Sequence, residues 1–442
     1  MGLKLAGGRW RVRPVHCGAT SAVVCAVLVC FCDPSAAEFA QQGAKLVGIG
    51  GSDFAAQGYA VALSSDGNTA IVGGYNDGGG AGAAWIFIRR DGLWLQQGPK
   101  LRGDGATDTQ PFQGKSVALS ADGNTAILGA PGDSGSAGAA WVFVRSGEVW
   151  TQQGPKLVGS GAVGAAAQGQ SVAISGDGSF AAIGGPADDD NVGATWMFSR
   201  HDGVWAQGGP KLVGAGAEGR ANQGVAVALS ADGTTAIIGG YSDAANTGAA
   251  WIFAQAGGAW IQQGPKLVGD GHSANATEGL SVALSADGDT AIVGGPQDRL
   301  QAGAAWVFVR TAGRWTQQGS KLVAPASGRP SLFATSVALS GDGDIAMVGA
   351  PDDNAGAGAV WVFTRSGAAW SLDGSKLFGS GGTLTPLQGQ SVAVSGNGRV
   401  AIVGGYEDNN GVGAAWIFVQ RRSRAGSSVT GGTKNVHAAE VR

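Results

Sequence analysis

Seven aspartates stand one repeat apart along this chain: Asp77, Asp133, Asp188, Asp243, Asp298, Asp353 and Asp408. Carboxylates at a fixed period could form a ring, and such a ring could hold cations or a basic ligand. The competing reading is structural, each Asp capping its own turn by accepting a backbone N–H. Identical placement in every copy is what a turn demands, so the turn reading is preferred and the ring is kept as a candidate binding surface. Asp188-Asp189-Asp190 and Asp352-Asp353 add oxygens. Tyr75, Tyr241 and Tyr406 stand two positions before three of these aspartates and are three of the four tyrosines in the chain. Exposed Tyr suits sugar or protein recognition. Packing against the neighbouring repeat is the alternative.

No catalytic set accompanies them. Beyond residue 37 the histidines are His201, His272 and His437, at unrelated repeat positions. There is no Gly-x-Ser-x-Gly elbow in a strand–helix setting and no metal-type His spacing. All four cysteines (17, 25, 30 and 32) precede residue 38, so the rest of the chain has no disulfide, thiolate metal site or Cys nucleophile. Asn275-Ala-Thr277 is a glycosylation acceptor only in a eukaryotic secretory route.

The elements that must position these residues repeat with them. The Trp of an Ala-Trp-type step falls at 85, 141, 196, 251, 306, 361 and 416, stepping by 56 once and then by 55. The turn series Asp66, Asp122, Asp177, Asp232, Asp287, Asp342 and Asn397 keeps the same steps. A fixed period of this size signals a propeller or a solenoid. In the second copy, SVALS (116–120) alternates at period two, and Ala-Asp-Gly-Asn then makes a tight hairpin to TAILG (125–129). AAWVFVR (139–145) and WTQQGPKLV (150–158) are the third and fourth runs. Four antiparallel strands taken seven times predict an all-β, seven-bladed propeller over 38–420. The alternative is a β-solenoid, whose coils are usually shorter.

The ends of the array predict closure. A fourth-strand Trp occurs only at 94, 150, 205, 260, 315 and 370, and the last copy stops at Ile417-Phe418-Val419. Phe39-Ala-Gln-Gln-Gly-Ala-Lys-Leu46 matches Trp94-Leu-Gln-Gln-Gly-Pro-Lys-Leu101, so the N-terminal strand is expected to complete the last blade and leave no unpaired edge. The recurrent Trp residues are expected between blades, as core rather than as a sugar platform. The second-to-third and fourth-to-first strand links are long and should share one face, where binding usually resides.

Residues 1–37 have a different pattern. Lys4, Arg9, Arg11 and Arg13 precede an apolar run, Ala22–Phe31, and then Ser35-Ala36-Ala37. This is a signal-peptide pattern, with an uncleaved anchor as the alternative, and it implies a secreted, periplasmic or cell-surface location. Its removal moves the formal net charge from −3 to about −6, which argues against nucleic acid. Residues 421–442 are basic, Gly/Ser-rich and unpatterned, and are expected to form a flexible tail, with contact to an acidic envelope surface as the alternative.

The repeat resembles the FG-GAP repeat of the integrin α-chain N-terminal propeller, in its secreted bacterial form, over about 39–419. Gln113-Gly114 stands at the FG position, and Gly129-Ala130-Pro131 and Gly349-Ala350-Pro351 at the GAP position. Six copies read Gln-Gly or Glu-Gly at the first position; the sixth reads Phe333-Ala334. Calcium-binding members carry a cage resembling DxDxDG between the first two strands. Here that link usually holds one carboxylate, and two at Asp287/Asp289 and Asp342/Asp344, so no family-type metal site or cofactor is expected. Kelch repeats are the runner-up, but their Tyr-to-Trp spacing is absent. The expected function is a monomeric, non-catalytic binding or scaffold propeller for an extracellular protein or glycan. The alternative is an envelope hydrolase using carboxylates of the long-loop face.

Overall fold

The alternating small and apolar residues of Ser116–Leu119 form the first strand of a blade. Thr125–Ala130, Ala139–Ser146 and Val149–Gln152 follow it, each antiparallel to the one before. A computed structural model describes residues 38–325, 330–383 and 385–421, and within them this unit occurs seven times as seven four-stranded sheets. The chain is an all-β, seven-bladed propeller. Blade one begins at Ala60–Leu63 and blade seven at Ser391–Val394. The segment read as leader, and all of the segment read as tail but Arg421, lie outside the described residues, among which no helix is long and apolar enough to cross a membrane.

Phe39–Gln41 supplies the outer strand of blade seven. Phe39 faces Gln420, Ala40 faces Val419 and Gln41 faces Phe418. The ring is therefore closed by pairing the first strand of the array to the last.

The fourth strand is shorter than expected. It ends at Gln152 rather than running to Val158, because Gly154 takes φ 72° and Pro155 has no N–H for the ladder. The chain rejoins the sheet only at Leu157, opposite Ala140. The second-to-third link is also more ordered than a loop. Asp133–Ser136 is one tight turn with Ser134 and Gly135 left-handed, and its counterpart occurs in every blade.

The core lies between blades. Ile71, Ala84 and Ile86 of blade one meet Val117, Leu128 and Trp141 of blade two, and similar clusters recur around the ring. Six Trp of the third strands are fully buried; Trp361 of blade six is partly exposed. The outer-strand Trp residues are half-buried, and most latch onto the preceding blade, as Trp150 Nε1 does by donating to Gln97 Oε1 at 3.0 Å.

First strands pack side by side around the axis. Just beyond them, the N–H of Ser65 donates to Ala121 O, and the series continues through Gly176, Ala231, Ala286, Gly341 and Gly396 back to Ser65. All seven bonds are 2.8–2.9 Å long. This belt laces the tight-turn end of the axis with backbone alone. Small residues at every station allow the strands to come that close.

Candidate functional site

The seven aspartates open the second-to-third turns on the long-loop face, but their side chains lie beneath it, at most 5% exposed. Each pairs with the Lys of its blade's outer segment: Lys100, Lys156, Lys211, Lys266, Lys321, Lys376 and, for Asp408, Lys45. Six also accept a backbone N–H, from Ser52, Thr107, Val163, Glu218, Ser273 and Thr383, at 2.6–2.8 Å. Burial by itself would raise the Asp133 carboxyl. Bonds from Lys156, the Thr107 N–H and Ser134 outweigh it and hold the group below the usual carboxylate range.

Two expectations are corrected by this arrangement. The ring does not present seven carboxylates to a ligand, because their oxygens are spent inside. The N–H that each accepts comes from the linker entering the blade, not from its own turn. Asp–Lys is a three-way clip that ties turn, linker and outer strand. Of the acidic clusters, Asp188 is clipped in this way, Asp353 pairs with Lys376, and Asp190 pairs on the surface with Arg220.

A second clip lies one layer deeper. Gln113 accepts the N–H of Gly103 at 2.6 Å and returns its amide to the Gly103 carbonyl at 2.9 Å. A Cβ on Gly103 would run into the indole of Trp141, so the linker there must be glycine. Gln57, Gln168, Gln223 and Gln388 hold their linkers in the same way. The residue after this Gln-Gly step immediately precedes the innermost strand, at the long-loop end of the axis.

That position carries Tyr59 in blade one and Lys115 in blade two. Tyr59 stacks edge-on against Tyr75 at 4.7 Å and Tyr406 at 5.3 Å between ring centroids. Tyr75 in turn meets Phe112 at 6.1 Å. The Lys115 ammonium lies 4.0 Å from the Tyr59 ring centre and 4.2 Å from that of Tyr75, a double cation–π contact. All five residues are half-buried. Burial first, then Glu407 and neighbouring phenols, pushes Tyr406 up to about 12; burial, Tyr59 and Glu407 raise Tyr75.

No known protein family matches this chain, and no curated protein does. Many solved structures do. One is described as a "putative 6-phosphogluconolactonase" from Bacteroides uniformis, with a TM-score of 0.52 over 73% of this chain and 85% of that one, at 15% identity. The likeness is one of fold.

Tyr75 and Tyr406 thus flank Tyr59 where blades one and seven adjoin, as the closed ring requires. Tyr241 is not part of the cluster. It lines a separate groove of about 480 Å³ with Asn191, Arg220, Asn222 and Asn246. A similar groove of about 620 Å³ in blade five is lined by Ser273, Asn275, Gln297, Arg299, Leu300 and Gln301. Among the described residues, no three His, Cys, Asp or Glu side chains converge as a metal site. Sequence reasoning missed Tyr59, Phe112 and Lys115. The signal for Tyr59 and Lys115 was a variable column in a constant repeat: Tyr59, Lys115, Gln170, Val225, Leu280, Thr335 and Gln390 follow the same Gln-Gly-type step, and Phe112 stands just before that step.

Proposed function

We propose that this protein is a secreted or surface-exposed binding propeller without chemistry of its own, taking an extracellular protein or glycan on its long-loop face. The observation that carries the reading is the cluster of Tyr59, Tyr75, Tyr406, Phe112 and Lys115 at the axial end of that face. Half-buried amphipathic rings beside a cation are what recognition of a sugar or a protein surface uses. The leader-like pattern of residues 1–37 and the resemblance to FG-GAP propellers support an extracytoplasmic setting. The lactonase description of the structural neighbour remains that protein's; here the seven ring aspartates are each paired with a lysine, which weighs against their use in acid–base work.

The test is an array of glycans and extracellular proteins probed with the whole protein and with Lys115→Ala. The expected result is a ligand whose binding weakens at least tenfold in the variant while the melting temperature holds. A ligand bound equally by both would move the site away from the axial cluster. Hydrolysis of an arrayed glycan or lactone would overturn the non-catalytic reading.

A further inference from the structure

In a seven-fold repeat, a position that departs from its copies is informative, and blade five departs inside its clip. In blades one to four and seven, Gln brackets one linker peptide: the glycine N–H reaches Oε1 at 2.5–2.7 Å, and Nε2 reaches the same glycine's carbonyl at 2.8–3.2 Å. Blade five has Glu278, fully buried. Its Oε2 accepts the Gly269 N–H at 2.7 Å, whereas Oε1 has no hydrogen-bond partner. The Gly269 carbonyl instead meets His272 Nδ1 at 2.7 Å, so that nitrogen carries a proton, and the same Nδ1 stands 3.5 Å from Glu278 Oε1.

An ionised carboxylate has no donor to offer the glycine carbonyl; a carboxylic acid does. We propose that Glu278 is a proton-operated latch on the blade-five groove: protonated, it can engage both the N–H and the carbonyl of Gly269 as glutamine does in the other blades, and ionised, it keeps only the N–H and gives up the carbonyl, which loosens linker 269–277. The linker matters because Ser273 and Asn275 on it form one wall of the groove. The other wall carries Arg299 and Leu300. Both are left-handed (φ 49° and 56°), and Leu300 is 92% exposed, where the equivalent residues of other blades are Gly, Ser, Ala, Asn or Asp. The groove's role as a ligand site rests on the binding reading of this face; the latch itself does not.

The surroundings agree in sign. Burial is the main influence on Glu278 and raises it, and the Gly269 N–H opposes this; Asp298 on the turn and Asp270 on the linker raise it further, and Lys321 on the outer strand lowers it. Lys321 is already paired with Asp298 at 2.5 Å. His272 is the remaining titratable neighbour. The net result places Glu278 at about 8, up from 4.5. The folded state thus holds a proton that the unfolded chain has released, and the latch weakens as pH rises through that value.

The experiment is hydrogen exchange of the full protein at about pH 6.5 and about pH 9.5, corrected for intrinsic rates, where ionised Glu278 goes from minority to more than tenfold excess. Linkers 159–168 and 214–223, held by Gln168 and Gln223, are internal controls. Expected is a loss of protection of about tenfold or more in 269–278 alone at the higher pH, abolished by Glu278→Gln. That variant carries the residue five other blades use, so it will fold. Equal protection in all three linkers at both pH values, or an unchanged pH response in Glu278→Gln, overturns the latch. A latch that works while no ligand is ever found for the face would sink the binding reading alone.

Discussion

At the scale of single residues, charge is used here to bind the chain to itself. Asp133 is buried, and among the described residues Lys156 is its one counter-ion. Lys156→Met should cost about 3–5 kcal/mol at neutral pH, since it leaves a buried carboxylate without its counter-ion. The cost should shrink in acid, because protonating Asp133 removes the stranded charge; urea unfolding at neutral pH and near pH 4 reads both. The hairpin aspartates are likewise committed. Burial would raise Asp66, but the Ser64 hydroxyl and the N–H and amide of Asn68 hold it below the usual range. Calcium needs several converging oxygens, so millimolar calcium should leave the melting temperature unchanged. Tyr406 gives the opposite sign at high pH. Its folded value of about 12 lies above the ordinary 10, so stability should fall as pH climbs between them. Tyr406→Phe should flatten that slope in thermal melts.

At the scale of the element, blade six shows how the parts depend on one another. It has Phe333 where other blades have the bracketing Gln or Glu, and Ala324 where they have the glycine under the Trp. With no amide to receive, the linker has no need to lie on the indole, and Trp361 is partly exposed with its Nε1 unpartnered. The next pair changes together as well. In other blades an outer-strand Gln accepts the N–H after that glycine, as Gln152 does from Asp104 at 2.7 Å. Blade six has Pro325, which has no N–H, and Leu372, which has no acceptor. The same substitution should therefore act differently in two blades. Gly103→Ala overpacks against Trp141 and should cost about 1–3 kcal/mol. Ala324→Gly should change stability by about 0.5–1 kcal/mol, the backbone entropy of one glycine. Chemical unfolding of both variants checks the contrast.

At the scale of the molecule, closure depends on a few residues at the start of the array. Phe39 covers the Trp416–Phe418 cluster, Leu46 pairs with Ala415, Lys45 neutralises Asp408, and Gln42 accepts from Trp94 Nε1 at 3.2 Å. Removing residues up to Val47 strips an aromatic worth about 3–5 kcal/mol and strands the buried Asp408 charge. Against a total of about 5–15 kcal/mol, that truncation should melt far lower or aggregate. Ala40→Cys with Val419→Cys tests the register directly, since these residues face each other and the chain has no cysteine beyond residue 32. An oxidised crosslink should form and raise the melting point; failure to crosslink would contradict the closed ring.

The sequence by itself determined the architecture. A 55-residue step, period-two strands, tight Asp-Gly-type turns and an orphan N-terminal match sufficed for seven four-stranded blades and for the strand that closes them. These are local signals: each is written within one strand or one turn and repeated. The fate of the aspartates was not local. Asp133 meets an N–H from Thr107 and an ammonium from Lys156, three segments that only the folded blade brings together. The shortened fourth strand, Tyr59 between Tyr75 and Tyr406, and Lys115 above two rings were likewise decided by tertiary structure. Their contacts cross blades, and in a ring the neighbour of the first blade is the last, a proximity that no reading along the chain contains until the ring is closed.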